Sequence, residues 1–244
     1  TDPRRTDVRL YSVFAGLFAA VLVTVPIAST KIFAIGPLHL PGGTIIFPLA
    51  FILNDVLTEV YGYDGSRRII WTGLACQGLA ALTFVLVGAL PPAASWPNQA
   101  AYDAVLGFAP RVALASLAAY FCGEFANSFV LSRMKYRDAG RGGLRQGWRF
   151  LASTIVGEAV DSAVFMVVAY AGTVPAGDLW RTLVTLYVVK VLYESAALPF
   201  SVRFANWVKR VEGLDSIDSP ASTNYNPFYV FSVQRRGPRF PGAR

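Results

Sequence analysis

Charge is scarce in this 244-residue chain. Asp, Glu, Lys and Arg make up 15% of it, while 54% is hydrophobic and the mean hydropathy is +0.45. A soluble domain carries about 25% charged residues, so an ordinary soluble globular domain is excluded. Cysteine is nearly absent. Cys76 and Cys122 both lie inside apolar runs, so a disulfide framework is excluded and both read as small packing residues. His39 is the single histidine, in a Pro/Gly-rich loop, and a lone histidine builds no metal centre. Neither a metal nor an organic cofactor is expected. A P-loop is lacking, so ATP hydrolysis by that route is not expected. Alternating barrel-like segments are lacking too, which leaves helices as the only way to cross lipid. No cleavable leader is expected, because the first apolar run continues to residue 29. The first residue is Thr rather than Met, as expected of a trimmed chain.

What is present is a series of long apolar runs. Six of them reach the ~20 residues a bilayer requires. They run roughly from Leu10 to Thr30, Gly43 to Tyr61, Ile69 to Leu90, Phe108 to Leu131, Phe150 to Gly172 and Leu179 to Asn206. The expected fold is all-α: a polytopic membrane protein with six transmembrane helices. Lys and Arg set its orientation. Of the 22, 18 fall in the N-terminal segment, after the second and fourth runs, or at and beyond the end of the sixth. Both termini are therefore expected in the cytoplasm of a multi-pass inner-membrane protein. Residues 1–211 read as the six-helix transmembrane domain and 212–244 as an irregular cytoplasmic tail. The net charge of +7 follows from topology and contact with anionic lipid, so nucleic acid is not an expected partner.

Within the apolar runs sits a set of ionisable groups. Residues 47–68, FPLAFILNDVLTEVYGYDGSRR, begin as a membrane-like run. They then place Asn54, Asp55, Thr58 and Glu59 on one helical stripe, and end at the turn signal Tyr61-Gly62 and at Arg67-Arg68. Glu124, Asn127 and Ser128 share a stripe of the fourth run. Glu158 and Asp161 share one of the fifth, and Lys190 and Glu194 one of the sixth. Six acids and one lysine, if unpaired at midplane, would cost on the order of 20 kcal/mol in total on insertion scales. The groups must converge on each other, on water or on a ligand. Counted inward from the cytoplasmic side, Asp55, Glu59, Glu124 and Glu194 lie in that half, and Glu158, Asp161 and Lys190 near the middle. One central cavity is expected to hold them. As a purely structural set they would be interhelical pairs: Lys190 with Asp161 or Glu158, and Glu59 with Arg67 or Arg68. Asn54 and Ser128 read as interhelical hydrogen bonds, and Gln77 as packing. Because acids outnumber the lysine, the site favours a flat or cationic ligand rich in N–H donors. A guanine-like edge fits: one carboxylate can accept its ring N–H and its amine together, as it accepts an arginine fork.

At these residues the chain resembles a known family. FPLAFILNDVLTEVYGYDGSRRII, then Gly157-Glu158-x-x-Asp161-x-x-x-Phe165, then Lys190 with Glu194, is similar to the vitamin-uptake-type, queuosine precursor transporter family. Asp215-Ser-Ile-Asp218 and Asn226-Pro227-Phe228 extend the likeness, which covers most of residues 8 to 228. The resemblance implies a six-helix inner-membrane importer of 7-deazaguanine bases such as 7-cyano-7-deazaguanine, and not an enzyme. It implies Asp55, Glu158, Asp161 and Lys190 as substrate-binding residues; Glu59, Glu124, Asn127 and Glu194 join them from position alone. Two alternatives stay open. One is a binding subunit served by a separate ATP-driven module. The other is an intramembrane aspartyl hydrolase using Asp55 and Asp161. A homodimer is the assembly expected of such polar-cored helices.

Overall fold

The computed structural model describes residues 10–35, 38–107, 110–172 and 175–229. Helices dominate, as the apolar runs require. In chain order they are α1 (Tyr11–Ser29), α2 (Phe47–Gly88), α3 (Gln99–Leu106), α4 (Pro110–Arg137), α5 (Leu144–Tyr170) and α6 (Ala176–Glu212). Five helical segments are long and apolar enough to cross a membrane, the longest being Gly42–Gly88. One departure from the all-helical expectation lies between α1 and α2. There β1 (Ile32–Ile35) pairs antiparallel with β2 (Leu38–Pro41), with Ile32 opposite Pro41, and a 3-10 turn (Gly42–Ile45) follows. Two short apolar tetrads flank Gly36-Pro37, so the stretch expected to be a plain loop is a hairpin.

The second and third apolar runs are joined without a loop. Gly62 has φ 77 and ψ 176, outside the helical region, and the backbone is helical on both sides of it. Only glycine adopts this φ without strain. The chain reverses there. Ser66 Oγ donates to Asn54 Oδ1 at 2.5 Å, whereas 12 residues of continuous helix would separate their levels by about 18 Å. α2 is thus a helical hairpin with arms 47–61 and 63–88. The segment expected to be a basic loop is the first turn of the second arm, and Arg67 is buried in it at 1% exposure.

α4 runs antiparallel to the second arm. Ser128 meets Ser66 at 2.8 Å, and further along the Tyr120 hydroxyl donates to the Ile70 carbonyl at 3.0 Å. α4 and α5 touch through paired glycines. A Cβ on Gly123 would come within 2.7 Å of Asp161 Cβ, and one on Gly157 within 2.8 Å of Asn127 Cβ. Small residues let the two backbones approach closely, and the approach sets Asp161 and Asn127 at the seam. The apolar core gathers Phe14 and Phe18 of α1, Val56 and Leu57 of the first arm, Ile70 of the second, Leu131, Phe150 and Val208.

The segment after α6 has no regular structure through 229, yet it packs against the helix ends. The Ser216 N–H donates to the Val60 carbonyl at 3.0 Å, and the Tyr63 N–H to Asp218 Oδ2 at 2.8 Å. The Arg67 guanidinium donates to the carbonyls of Asn224 and Asn226, and Trp71 Nε1 to that of Pro227 at 2.7 Å. A Cβ on Gly62 would lie 2.8 Å from Asp218 Oδ1, so the bare glycine also admits this strap. The tail beyond 229 lies outside the described residues.

Candidate functional site

Polar groups in the bundle fall into three levels along its axis. The first lines a cavity of about 740 Å³ in the half away from Gly62. Its walls come from the end of α1, the start of the first arm, the late second arm, the first half of α4, the late part of α5 and the start of α6. The size suits a small heterocycle, since ligand pockets run to roughly 300–1,000 Å³. Most of the lining is apolar, including Phe47, Phe51, Phe165 and Met166; the charged side chains on it are Glu124, Asp161 and Lys190.

Lys190 is the hub of this level. Its Nζ lies 2.5 Å from Asp161 Oδ2, 3.0 Å from Glu158 Oε2 and 4.2 Å from the centroid of the Phe47 ring. The expected pairing of Lys190 with α5 is therefore present, and with both acids at once. Glu158 is wholly buried behind Lys190, and its carboxyl also meets that of Glu194 on α6. Glu124 faces the same cavity from α4. It is 2% exposed, and its Oε2 has no hydrogen-bond partner. Gln77, expected only to pack, lines the cavity as well and holds a buried, unpartnered Oε1. Its signal was present in the sequence: it is an amide in an apolar run, the same anomaly that singled out the acids.

The second level is a polar seam beneath the cavity. Asn54 Nδ2 donates to Ser128 Oγ at 3.0 Å and reaches the Glu124 carbonyl at 3.4 Å. Thr58 donates to Ser128 at 3.2 Å. Asn54 and Ser128 thus make the interhelical bonds expected of them. Asn127 Nδ2 donates to Asp55 Oδ1 at 2.8 Å, leaving Asn127 Oδ1 unpartnered. Asp55 and Glu194 line a separate small crevice with Thr154 and Ser201, and the Glu194 carboxyl meets Thr154 and, toward the cavity floor, Glu158. A single cavity was expected for the whole set. Glu124, Asp161 and Lys190 line it, Glu158 is held behind Lys190, and Asp55, Asn127 and Glu194 lie off it in the seam. Asp55 and Asp161 are each engaged elsewhere, on Asn127 and Lys190.

Glu59 belongs to the third level, at the Gly62 end. Its carboxylate takes Arg149 Nε at 3.0 Å, Arg149 Nη2 at 2.5 Å and Lys209 Nζ at 2.5 Å. Neither Arg67 nor Arg68, the partners expected, takes part in these bonds. Lys135 donates to the Glu59 carbonyl, to Asp215 and, at 2.7 Å, to the Ser216 carbonyl. Glu59 and Arg149 are both 0% exposed. Arg67 pairs instead with Asp64 at 2.5 Å. In the sequence these cations look the same as those that set topology, so their burial was missed. The strap closes over this cage. Asp218 accepts from the Tyr63 N–H and, at 2.7 Å, from the Ser132 hydroxyl. Burial pushes the Asp218 carboxyl above its ordinary range, an effect that those two donors oppose.

Residues 41–204 match the family described as "Putative vitamin uptake transporter". The chain is 33% identical over 164 residues to the "Probable queuosine precursor transporter" of Bacillus subtilis, a match covering 65% of this chain and 69% of the relative. It is 28% identical over 133 residues to the "Queuosine precursor transporter" of Escherichia coli, covering 54% and 56%. A relative from Haemophilus influenzae, also named "Probable queuosine precursor transporter", is 23% identical over 133 residues, covering 54% and 52%. No solved structure matches.

Proposed function

The chain belongs to the vitamin uptake transporter family, and on that premise we infer that it is a secondary transporter importing a queuosine precursor, a 7-deazaguanine base, across the inner membrane. The observation that carries the reading is the cavity floor. There Lys190 is shared by Asp161 and Glu158 while Glu124 keeps an unpartnered carboxylate oxygen. A buried acceptor without a partner costs about 1–3 kcal/mol. A ligand with adjacent N–H donors recovers that cost once the Glu124 side chain turns this oxygen into the cavity. The ring N–H and exocyclic amine of a guanine-like base meet Glu124, Lys190 faces its carbonyl, and Phe47 or Phe51 covers its face.

Orientation supports import. The cage, the strap and most of the described cations lie at the Gly62 end, the cytoplasmic side by charge bias. The two arms of α2 count as separate crossings, giving six with both termini inside. The cavity then faces outward, and the seam and cage close the inner end. Release requires the inner end to open, the alternation expected when a site lies near the midplane.

The test is binding of 7-deazaguanine to the purified, detergent-solubilised chain, followed by uptake into vesicles holding this chain alone. Saturable binding lost in Asp161→Asn and Lys190→Ala is the expected result. Equal binding by wild type and both variants would refute the site. Binding without uptake by the chain alone would favour a subunit that needs an ATP-driven module.

A further inference from the structure

The geometry points to Gln77 as the residue that makes the cavity select a free base over its nucleoside, a refinement resting on the transport reading above. Its place follows from the packing of the second arm of α2 on α4. A Cβ on Gly73 would stand 2.9 Å from the Tyr120 hydroxyl, which marks the level where the two helices meet. Gln77 lies one turn beyond Gly73, toward the cavity mouth. Because the helices are antiparallel, Glu124 lies one turn beyond Tyr120 in the other direction, toward the floor. The two polar side chains therefore flank Tyr120, with backbone levels about 11 Å apart. Both line the cavity, and each holds a buried oxygen without a partner.

Acceptors held at levels about 11 Å apart match a flat bicyclic ring that donates at both ends, each N–H lying about 2.9 Å from its oxygen. The ring must offer donors at both ends. A 7-deazaguanine base does so: the ring N–H and amine of its six-membered ring at one end, and the N–H of its five-membered ring at the other. With the first end on Glu124, the second reaches Gln77, whose amide turns its carbonyl oxygen to accept. In the nucleoside that nitrogen carries the ribose and has no hydrogen to give. At about 740 Å³ the cavity is wide enough that size alone does not reject the sugar. Discrimination then rests on the hydrogen bond. A site built for an N–H donor rejects an analogue lacking it more strongly than one that only differs in bulk.

The experiment is titration of purified wild type, Gln77→Leu, Gln77→Met, Gln77→Glu and Lys190→Ala with 7-deazaguanine and with its ribonucleoside, each sample checked for folding by its thermal transition. Wild type is expected to prefer the base. Gln77→Leu and Gln77→Met should each weaken base binding about tenfold, equivalent to ~1.4 kcal/mol, and narrow or abolish the preference. Gln77→Glu keeps an acceptor and should retain the preference. Base binding unchanged in both apolar variants, with Lys190→Ala still deficient, would overturn the role of Gln77 and leave the transport reading intact. Equal binding of base and nucleoside by wild type would overturn it too. Failure of folded wild type to bind the base would refute the transport reading itself, and this inference with it.

Discussion

Replacing Arg149 by Met is the sharpest test of how the Gly62 end is held shut. Arg149 is fully buried and makes three hydrogen bonds. Two go to the Glu59 carboxylate, at 3.0 and 2.5 Å, and one goes to the Arg141 carbonyl at 2.6 Å. Methionine fills much of the same volume and keeps none of these. Removing one member of a buried pair typically costs 3–5 kcal/mol, because the other charge is left behind. Here Glu59 keeps Lys209 at 2.5 Å, which offsets part of the loss. The expected destabilisation is therefore about 3 kcal/mol, at the low end of that range. The assay is reversible unfolding of the purified chain in mixed micelles, run as a double-mutant cycle with Glu59→Gln. The two changes should be strongly non-additive, since each removes the same bonds. A loss under about 1 kcal/mol for Arg149→Met, or strict additivity with Glu59→Gln, would refute the cage as a unit.

Gly157→Val should separate α4 from α5, because its Cβ has no room beside Asn127 Cβ at 2.8 Å. Overpacking of this kind costs about 1–3 kcal/mol, and ligand binding should fall with it through displacement of Asp161; unchanged stability and binding would refute the close approach. Docking of the strap should depend on pH through Asp218. Its carboxyl is raised on burial, so the docked state holds the proton more tightly than the undocked one. Asp218's contribution is fully present below the ordinary carboxylate range near pH ~3.9 and is lost as pH rises through its raised value. Protection of the Tyr63 amide from hydrogen exchange reports this, after correction for the intrinsic rate. Asp218→Asn should flatten the profile, and corrected protection that rises with pH would refute it.

The helices and the buried polar groups were readable because each breaks or keeps a pattern within one short segment. Twenty apolar residues in a row signal a span, and Glu158 with Asp161 inside such a run signals a partner. The turn at Tyr61-Gly62 was visible for the same local reason. Its tightness was not, because a helix that restarts at once and a short basic loop differ only in what the cations touch. Arg67 donates to carbonyls 157 and 159 residues away, and Lys135 to one 81 residues away. Nothing in the vicinity of either cation announces such a partner. From sequence Glu59 reads as a ligand-site residue on the same ground: its stripe points to a partner without naming it. The β1–β2 hairpin escaped because two four-residue strands carry too little alternation to stand out from an apolar loop.

The two ends of the bundle differ in how fully their polar groups are bonded, and that difference bears on how a cycle could turn. At the cage, Glu59, Lys135, Arg149 and Lys209 satisfy one another and hold the strap. At the cavity floor, Glu124 keeps an unpartnered oxygen. A ligand moves a conformational equilibrium only by binding one state better than the other. Taking the inner end from mostly closed to mostly open requires about 5.5 kcal/mol of such preference. Hydrogen bonds to charged groups contribute about 1.5–3 kcal/mol each, so two to four made only in the opening state are enough. Bonds already made to the base in the closed state do not count toward that number; what counts are those formed or strengthened by Glu124 and Lys190 as the inner end opens. The seam gives their movement a route to the cage. Asn54 reaches from the Glu124 carbonyl to Ser128, Ser128 contacts Ser66, and Ser66 lies in the first turn after Gly62. A floor left short of partners beside an inner end held by breakable bonds is the combination a ligand-driven opening needs; a floor already satisfied would give the ligand nothing to change.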